Sequence, residues 1–331
     1  MPDSPAPIAA PRHDRLGALR GQLSLPLVCA PMFLVSGPDL VIATCRNGVI
    51  GSFPAPNARP LDVLDGWMAR VAGELEAARR ADPRARIAPW SINLVVHSSY
   101  DRLPAELELV QRHRPPIVIT ALGSPARVVD AVHAYGGLVL ADVGSVAMAR
   151  KAAQAGVDGL ILVSSGAGGH TGSVSPFVFV EAVRRFFDGI VVLAGALCTG
   201  AAIRAAEIAG ADLADIGTLF IAARESLAAD DYRQMVVEAG VDDLVLTKAF
   251  TGASAYYLRR SIERAGLDPD NLSGKTSMNW GQSDTQLKAW KDIWSAGQSV
   301  AAVRRVEGAG EIIARLRAEY LQSLNVPSFG P

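Results

Sequence analysis

Short apolar runs without polar alternation recur along the chain. They are separated by longer, Ala-rich stretches in which apolar positions return every three or four residues. The runs at 25–32, 49–53, 87–96, 116–121, 137–143, 159–163, 190–194 and 213–216 are rich in Val, Ile and Leu. Strands covered on both faces read this way, because neither face needs polar side chains. The stretches at 61–81, 125–135, 146–155 and 200–209 read as the helices between them. Eight such units predict an α/β chain closed as a (β/α)8 TIM barrel, with a doubly wound open sheet as the alternative. A repeat agrees: 151–158 ends in Gly156-Val-Asp158 before one strand, and 205–212 ends in Gly210-Ala-Asp212 before another. In both, a left-handed glycine is expected to stop a helix just before the next strand.

The alternation stops after position 227. The segment 228–297 is more polar and carries Tyr256, Tyr257, Trp280 and Trp290. It predicts a smaller, mainly helical lobe over the barrel mouth, with these aromatics as its core. A final amphipathic helix is expected over 298–324, with Val300, Val303, Ile312, Ile313 and Leu316 on its apolar side. The domain division that follows is a flexible arm at 1–24, a barrel at 25–227 plus 298–324, and the lobe at 228–297.

Composition narrows the function classes. The 331 residues carry 32 basic and 33 acidic side chains, a net charge of −1 that suits neither a nucleic-acid surface nor a polybasic membrane patch. Half the residues are hydrophobic, enough for a large core. The Pro-rich start has no apolar signal segment, and the longest uncharged apolar stretch, 190–203, is too short to span a bilayer. Cys29, Cys45 and Cys198 are scattered, as reduced thiols of a cytoplasmic protein would be. The sequence leaves open whether two copies pair as a homodimer.

The chemistry concentrates at predicted strand ends, where barrel enzymes bind their ligands. After the sixth strand comes Ser164-Ser-Gly-Ala-Gly-Gly-His-Thr-Gly172, four glycines in nine residues around one histidine. Such a loop lets backbone approach a phosphate, and His170 brings proton chemistry beside it. The first strand ends in Cys29-Ala30-Pro31-Met32, small and stiff enough to face a flat ring, and the third carries Asn93. The last two end in Ala194-Gly195-Ala196 and Gly217-Thr218, where barrels often hold phosphate. No HExxH, GxSxG or paired metal-ligand spacing occurs, so no metal site is expected. His13 lies in the arm, His113 and His133 fall on helical segments, and His97 ranks below His170 as a mouth residue.

These residues, in this order, resemble the nitronate monooxygenase family, formerly the 2-nitropropane dioxygenases. The resemblance spans 25–324. It rests on Ala30-Pro31-Met32, Ile92-Asn93-Leu94, Ala167-Gly168-Gly169-His170-Thr171-Gly172, Gly217-Thr218-x-Phe220 with Glu225-Ser226, and Ser295-Ala296-Gly297-Gln298. It implies non-covalent FMN at the barrel mouth. Ala30, Pro31, Met32 and Asn93 would contact the isoalloxazine and its tail. Gly168, Gly195, Ala196, Gly217 and Thr218 would hold the phosphate, with Gly169, Ala194, Asp142 and Gln298 completing the cofactor site. His170 would be the catalytic residue, as base or as nitronate-binding group. The implied reaction is the oxidation of alkyl nitronates or nitroalkanes by O2 to a carbonyl compound and nitrite. An NAD(P)H-dependent flavin reductase of the enoyl-acyl-carrier-protein or quinone reductase type resembles the same pattern and is the alternative.

The chain departs from the family pattern at three positions. Ala196 stands where a second glycine is usual, tolerable where φ stays negative. Gly166 stands where relatives often carry glutamate. Asp142 stands where they often carry lysine or glutamine, and it would disfavour anionic reduced flavin unless it faces away or is protonated.

Overall fold

The computed structural model describes residues 17, 19–272 and 292–326. Its strands are β1 Leu27–Cys29, β2 Ile50–Pro54, β3 Trp90–Val95, β4 Ile117–Ala121, β5 Leu138–Val143, β6 Gly159–Val163, β7 Gly169–His170, β8 Ile190–Ala194, β9 Leu213–Ile216, β10 Leu244–Thr247 and β11 Ala255–Leu258. Eight of them close into a parallel barrel in the order β1-β2-β3-β4-β5-β6-β8-β9, with β9 paired back onto β1. All eight expected strands are present, so the closed barrel replaces the open-sheet alternative.

The unbroken apolar runs follow from burial on both faces. One set of side chains fills the lumen, including Val28, Ile50, Ile117, Ile119, Leu140, Ile161, Val192 and Leu213. The alternate set, including Leu27, Cys29, Ile92, Val118, Val139, Leu160 and Leu193, packs outward against the helices. The helices start and stop by ordinary local chemistry. Ser145 caps the helix Val146–Gln154 by accepting from the Met148 N–H at 3.2 Å. Gly156 and Gly210 both lie at positive φ, +83° and +103°, as the repeat implied. Among the described residues no helix is long and apolar enough to cross a membrane.

Three elements differ from expectation. The lobe contains the helices Asp230–Glu238 and Arg259–Arg264, and also an antiparallel sheet in the order β10-β11-β7. Its third strand is lent by the glycine loop after β6, too short a run for hydropathy to show. The final segment is not one helix: Gln298–Ala302 is a 3-10 turn, and the α-helix runs Ala309–Ser323. The break arises because Glu307 bridges to Ala223, and the Gly308 N–H is taken by the Glu311 carboxylate at 2.6 Å, which starts the helix there. The stretch expected as one helix at 125–135 is a 3-10 turn, Pro125–Arg127, followed by the short helix Val129–His133.

Candidate functional site

The loops after β1, β6, β8 and β9 and the segment 295–298 form one ring at the C-terminal end of the barrel. A Cβ on Gly168 would meet the Gly297 backbone N at 2.9 Å, and one on Gly297 would meet the Gly168 N at 2.6 Å. The glycines of the cradle therefore serve first to let two loops pack backbone against backbone. Thr218, 4% exposed, joins them by accepting from the Gly297 N–H at 2.9 Å. The adjoining Gly217 sits against Ala30 and Met32, whose Cβ and Sδ lie 3.2 and 3.3 Å from where its own Cβ would be. The Ala30 N–H donates to the Ile216 carbonyl at 3.1 Å and the Met32 N–H to the Ser36 hydroxyl at 3.0 Å, fixing the turn around Pro31.

The other arc of the ring joins the cradle to the eighth-strand turn. Ser164 donates to the Ala194 carbonyl at 2.6 Å, with Gly195 packed on the same hydroxyl. Ala196 lies against Gly166, and the Gln298 N–H donates to the Gly166 carbonyl at 3.0 Å. Ala196 has φ +56°, so the condition under which a methyl group sits there without strain, a negative φ, is not met. The turn geometry demands the left-handed region whatever residue is present, and alanine adopts it with strain. The Gln298 amide donates to the Tyr256 hydroxyl at 3.2 Å, which brings one lobe aromatic to the ring. Tyr257 is fully buried, edge-on to Phe250, and belongs to the lobe core as expected. Trp280 and Trp290 lie outside the described residues.

His170 stands on β7, paired with Ala255 of the lobe sheet. Its Nε2 lies 3.0 Å from the Thr251 hydroxyl, in the turn between β10 and β11. That hydroxyl also lies 3.3 Å from the Ala253 carbonyl, which can only accept. With Nε2 as donor to Thr251, Nδ1 would be the basic nitrogen of the ring. Burial disfavours the imidazolium and holds the ring below the usual histidine range. The other described histidines are engaged elsewhere: His97 with Ser99, His113 with Asp65 and His133 with Asp158.

Asn93 and Asp142 face the barrel lumen near its C-terminal end. Register pairs Asn93 with Ile119 and Asp142 with Ile161, both lumen residues, so Asp142 does not face away. Burial pushes its carboxyl up to about 7. Among the described residues, the amide nitrogen of Asn93, a residue 6% exposed, has no hydrogen-bond partner. Asp215 joins them, registered with both Val28 and Ala194 of the lumen set. Burial and the Asp142 charge hold it well above the carboxylate range. Sequence reading passed over Asp215, although it breaks an apolar strand in phase with Leu213. It passed over Thr251 with no local signal available, since only the pairing of β7 with β11 brings that turn to His170.

A family model described as nitronate monooxygenase matches residues 21–319. The nitronate monooxygenase of Paraburkholderia phytofirmans is 27% identical over 349 residues, which cover 90% of this chain and 93% of that one. A (3aS,4S,5R,7aS)-5-hydroxy-7a-methyl-1-oxo-octahydro-1H-indene-4-carboxyl-CoA dehydrogenase of Rhodococcus jostii is 26% identical over 75% of this chain and 67% of its own. Among solved structures, the nitroalkane oxidase of Streptomyces ansochromogenes superposes with a TM-score of 0.75 at 23% identity, covering 94% of this chain and 100% of that one. FabK from Thermotoga maritima superposes with a TM-score of 0.74 at 22% identity, over 96% and 98%. At such identities these two structures speak for the fold alone. With the family model spanning nearly the whole barrel, the chain belongs to the nitronate monooxygenase family, whose members are flavin-dependent oxidoreductases.

Proposed function

We propose that this protein binds FMN and uses O2 to oxidise alkyl nitronates or nitroalkanes to a carbonyl compound and nitrite, with His170 as its catalytic residue. One observation carries the reading: a half-buried imidazole, held below the usual histidine range and hydrogen-bonded to Thr251, stands beside a ring of strand-end loops. The residues present fit a flavin. The partnerless Asn93 amide offers a buried donor in the lumen, and the small residues Ala30 and Gly217 keep side-chain bulk away from the mouth. Ala30, Pro31, Met32 and Asn93 would meet the ring system and its tail. The backbone of Gly168, Gly195, Ala196, Gly217 and Thr218 would hold the phosphate, with Gly169, Ala194 and Asp142 completing the cofactor site and Gln298 closing the ring above Gly166.

When bound, the flavin supplies the electron-transfer chemistry. The chain supplies orientation and one proton acceptor. For a neutral nitroalkane, Nδ1 of His170 takes the α-proton, and the Nε2–H bond to Thr251 keeps the ring aimed while it becomes charged. The resulting N–H on Nδ1 then donates to an oxygen of the nitronate. For a preformed nitronate, the same ring serves to position those oxygens.

An absorbance spectrum of the purified protein is the first test, followed by anaerobic additions. A flavin spectrum bleached by a nitronate but not by NADH supports the reading. Rapid bleaching by NADH alone moves the chain to the flavin reductase alternative. A colourless protein that binds no added FMN removes both.

A further inference from the structure

A hollow separate from the ring lies where the chain enters β1, β2 and β3, the end of the strands away from the loops described above. One face of the helix Ala309–Ser323 closes it, and its volume is about 360 Å³. That is at the lower end of the range occupied by small-molecule sites. Gly310, Ile313, Ala314 and Arg317 supply the helix face, at the three- and four-residue spacing that stacks side chains on one side. The space depends on small residues: a Cβ on Gly310 would already meet the Asn47 amide at 3.1 Å. Ile313, 3% exposed, gives the hollow an apolar wall. Arg86 and Arg317 give it charge. Arg86 is held in place, its Nη1 donating to the Leu23 carbonyl at 3.0 Å. Among the described residues neither guanidinium has a carboxylate partner. The carboxylates of neighbouring elements are taken: Glu74 by Arg46 and Arg70, Glu311 by Arg224, and Glu319 by Arg315. Two like charges on one hollow repel, so the arrangement costs stability until an anion enters. The Asn47 amide nitrogen gives one N–H to the Ala43 carbonyl at 2.8 Å and keeps a second.

We propose that this hollow binds a phosphorylated small molecule, with the phosphate between Arg86 and Arg317 and the carbon part against Ile313 and Ala314. Charge selects phosphate over carboxylate. The two guanidiniums carry two positive charges, and a phosphate monoester carries about −1.5 to −2 near neutral pH, so the two balance. A single carboxylate would leave one cation over. Guanidinium forks also match phosphate oxygens in pairs. The hollow has room for more than the phosphate, and its apolar wall suits the remainder of the ligand. Occupancy ties the helix Ala309–Ser323 to the turns that feed the first strands. The ligand therefore acts on stability and touches none of the ring residues, and the proposal stands apart from the flavin reading.

The test is thermal unfolding of the flavin-loaded protein, so that the mouth is filled, with inorganic phosphate, phenyl phosphate or acetate added at an ionic strength held constant with chloride. Millimolar phosphate should raise Tm by about 2 °C. Phenyl phosphate should reach the same shift at about a tenfold lower concentration, because its ring adds apolar burial. Acetate should leave Tm where chloride leaves it. Arg86→Gln and Arg317→Gln should each lose most of the phosphate shift. Should either fail to fold, Ala314→Leu decides: it keeps both guanidiniums, fills the hollow, and should remove the advantage of phenyl phosphate over phosphate. A parent Tm indifferent to phosphate, or an unchanged shift in the variants, overturns the site. An equal shift with acetate overturns the phosphate assignment. A chain that takes up no flavin overturns the functional reading instead, and the contrast between the parent and the arginine variants still decides the hollow.

Discussion

The floor and the rim of the site meet the same force with opposite results. At the floor, burial pushes Asp142 up to about 7 and holds Asp215 well above the ordinary carboxylate range, so the carboxyls tend toward their protonated form. At the rim, burial holds His170 below the ordinary histidine range, so the imidazole tends toward its deprotonated form. Both places shed charge, one by keeping a proton and the other by giving it up. They differ in partners. The rim imidazole has the Thr251 hydroxyl as a hydrogen-bond partner at Nε2, whereas the floor carboxyls have no hydrogen-bond or ion-pair partner among the described residues. A site built this way holds a base on one side and an acid on the other near neutral pH, without an ion pair between them.

The largest effect separating the two regions is expected at the rim. His170→Asn should retain bound flavin and lose nitroalkane turnover by about a hundredfold or more, the usual contribution of a positioned base. Steady-state turnover equal to the parent's would take His170 out of the mechanism. Thr251→Val tests whether the rim depends on its partner. It leaves Nε2 without its acceptor, and kcat/KM should fall about tenfold with an altered pH profile. A loss of stability with an unaltered profile would mean that Thr251 only packs.

The floor is broken by pH. A folded-state carboxyl raised above its ordinary value of 3.8 to about 7 adds stability that is complete below the lower value and is lost as pH rises toward the upper one. Urea midpoints of the protein should therefore fall across that window, by up to about 1.4 kcal/mol per pH unit. Asp142→Asn should flatten the fall. An equal slope in parent and variant would show that Asp142 is ionised throughout. The smallest effect belongs to the turn between floor and rim. Ala196→Gly should relieve the strain of φ +56° and raise stability by about 1 kcal/mol, readable as a higher Tm.

The barrel was legible because its strands are buried on both faces, and that burial writes itself into unbroken runs of Val, Ile and Leu. Gly156 and Gly210 were legible for a similar reason: each closes a helix by a rule that needs only its neighbours. The glycine loop and His170 stood out by composition. Their actual arrangement did not, because β7 is a two-residue strand whose partner lies 85 positions away at Ala255. The sign of φ at Ala196 was not legible in the sequence, because the turn around it packs closely on Gly166 and Ser164.

The sequence by itself determined the eight-stranded closure, the loops that gather at one end, and the identity of the histidine there. Periodicity and local turn chemistry act within a few residues and survive in one dimension. Only the tertiary structure decided that Asp142 and Asp215 both face the lumen, and that Thr251 reaches the imidazole. Those facts depend on which side of a strand faces inward and on which strands pair, and such through-space distances and desolvation exist only once the chain has closed.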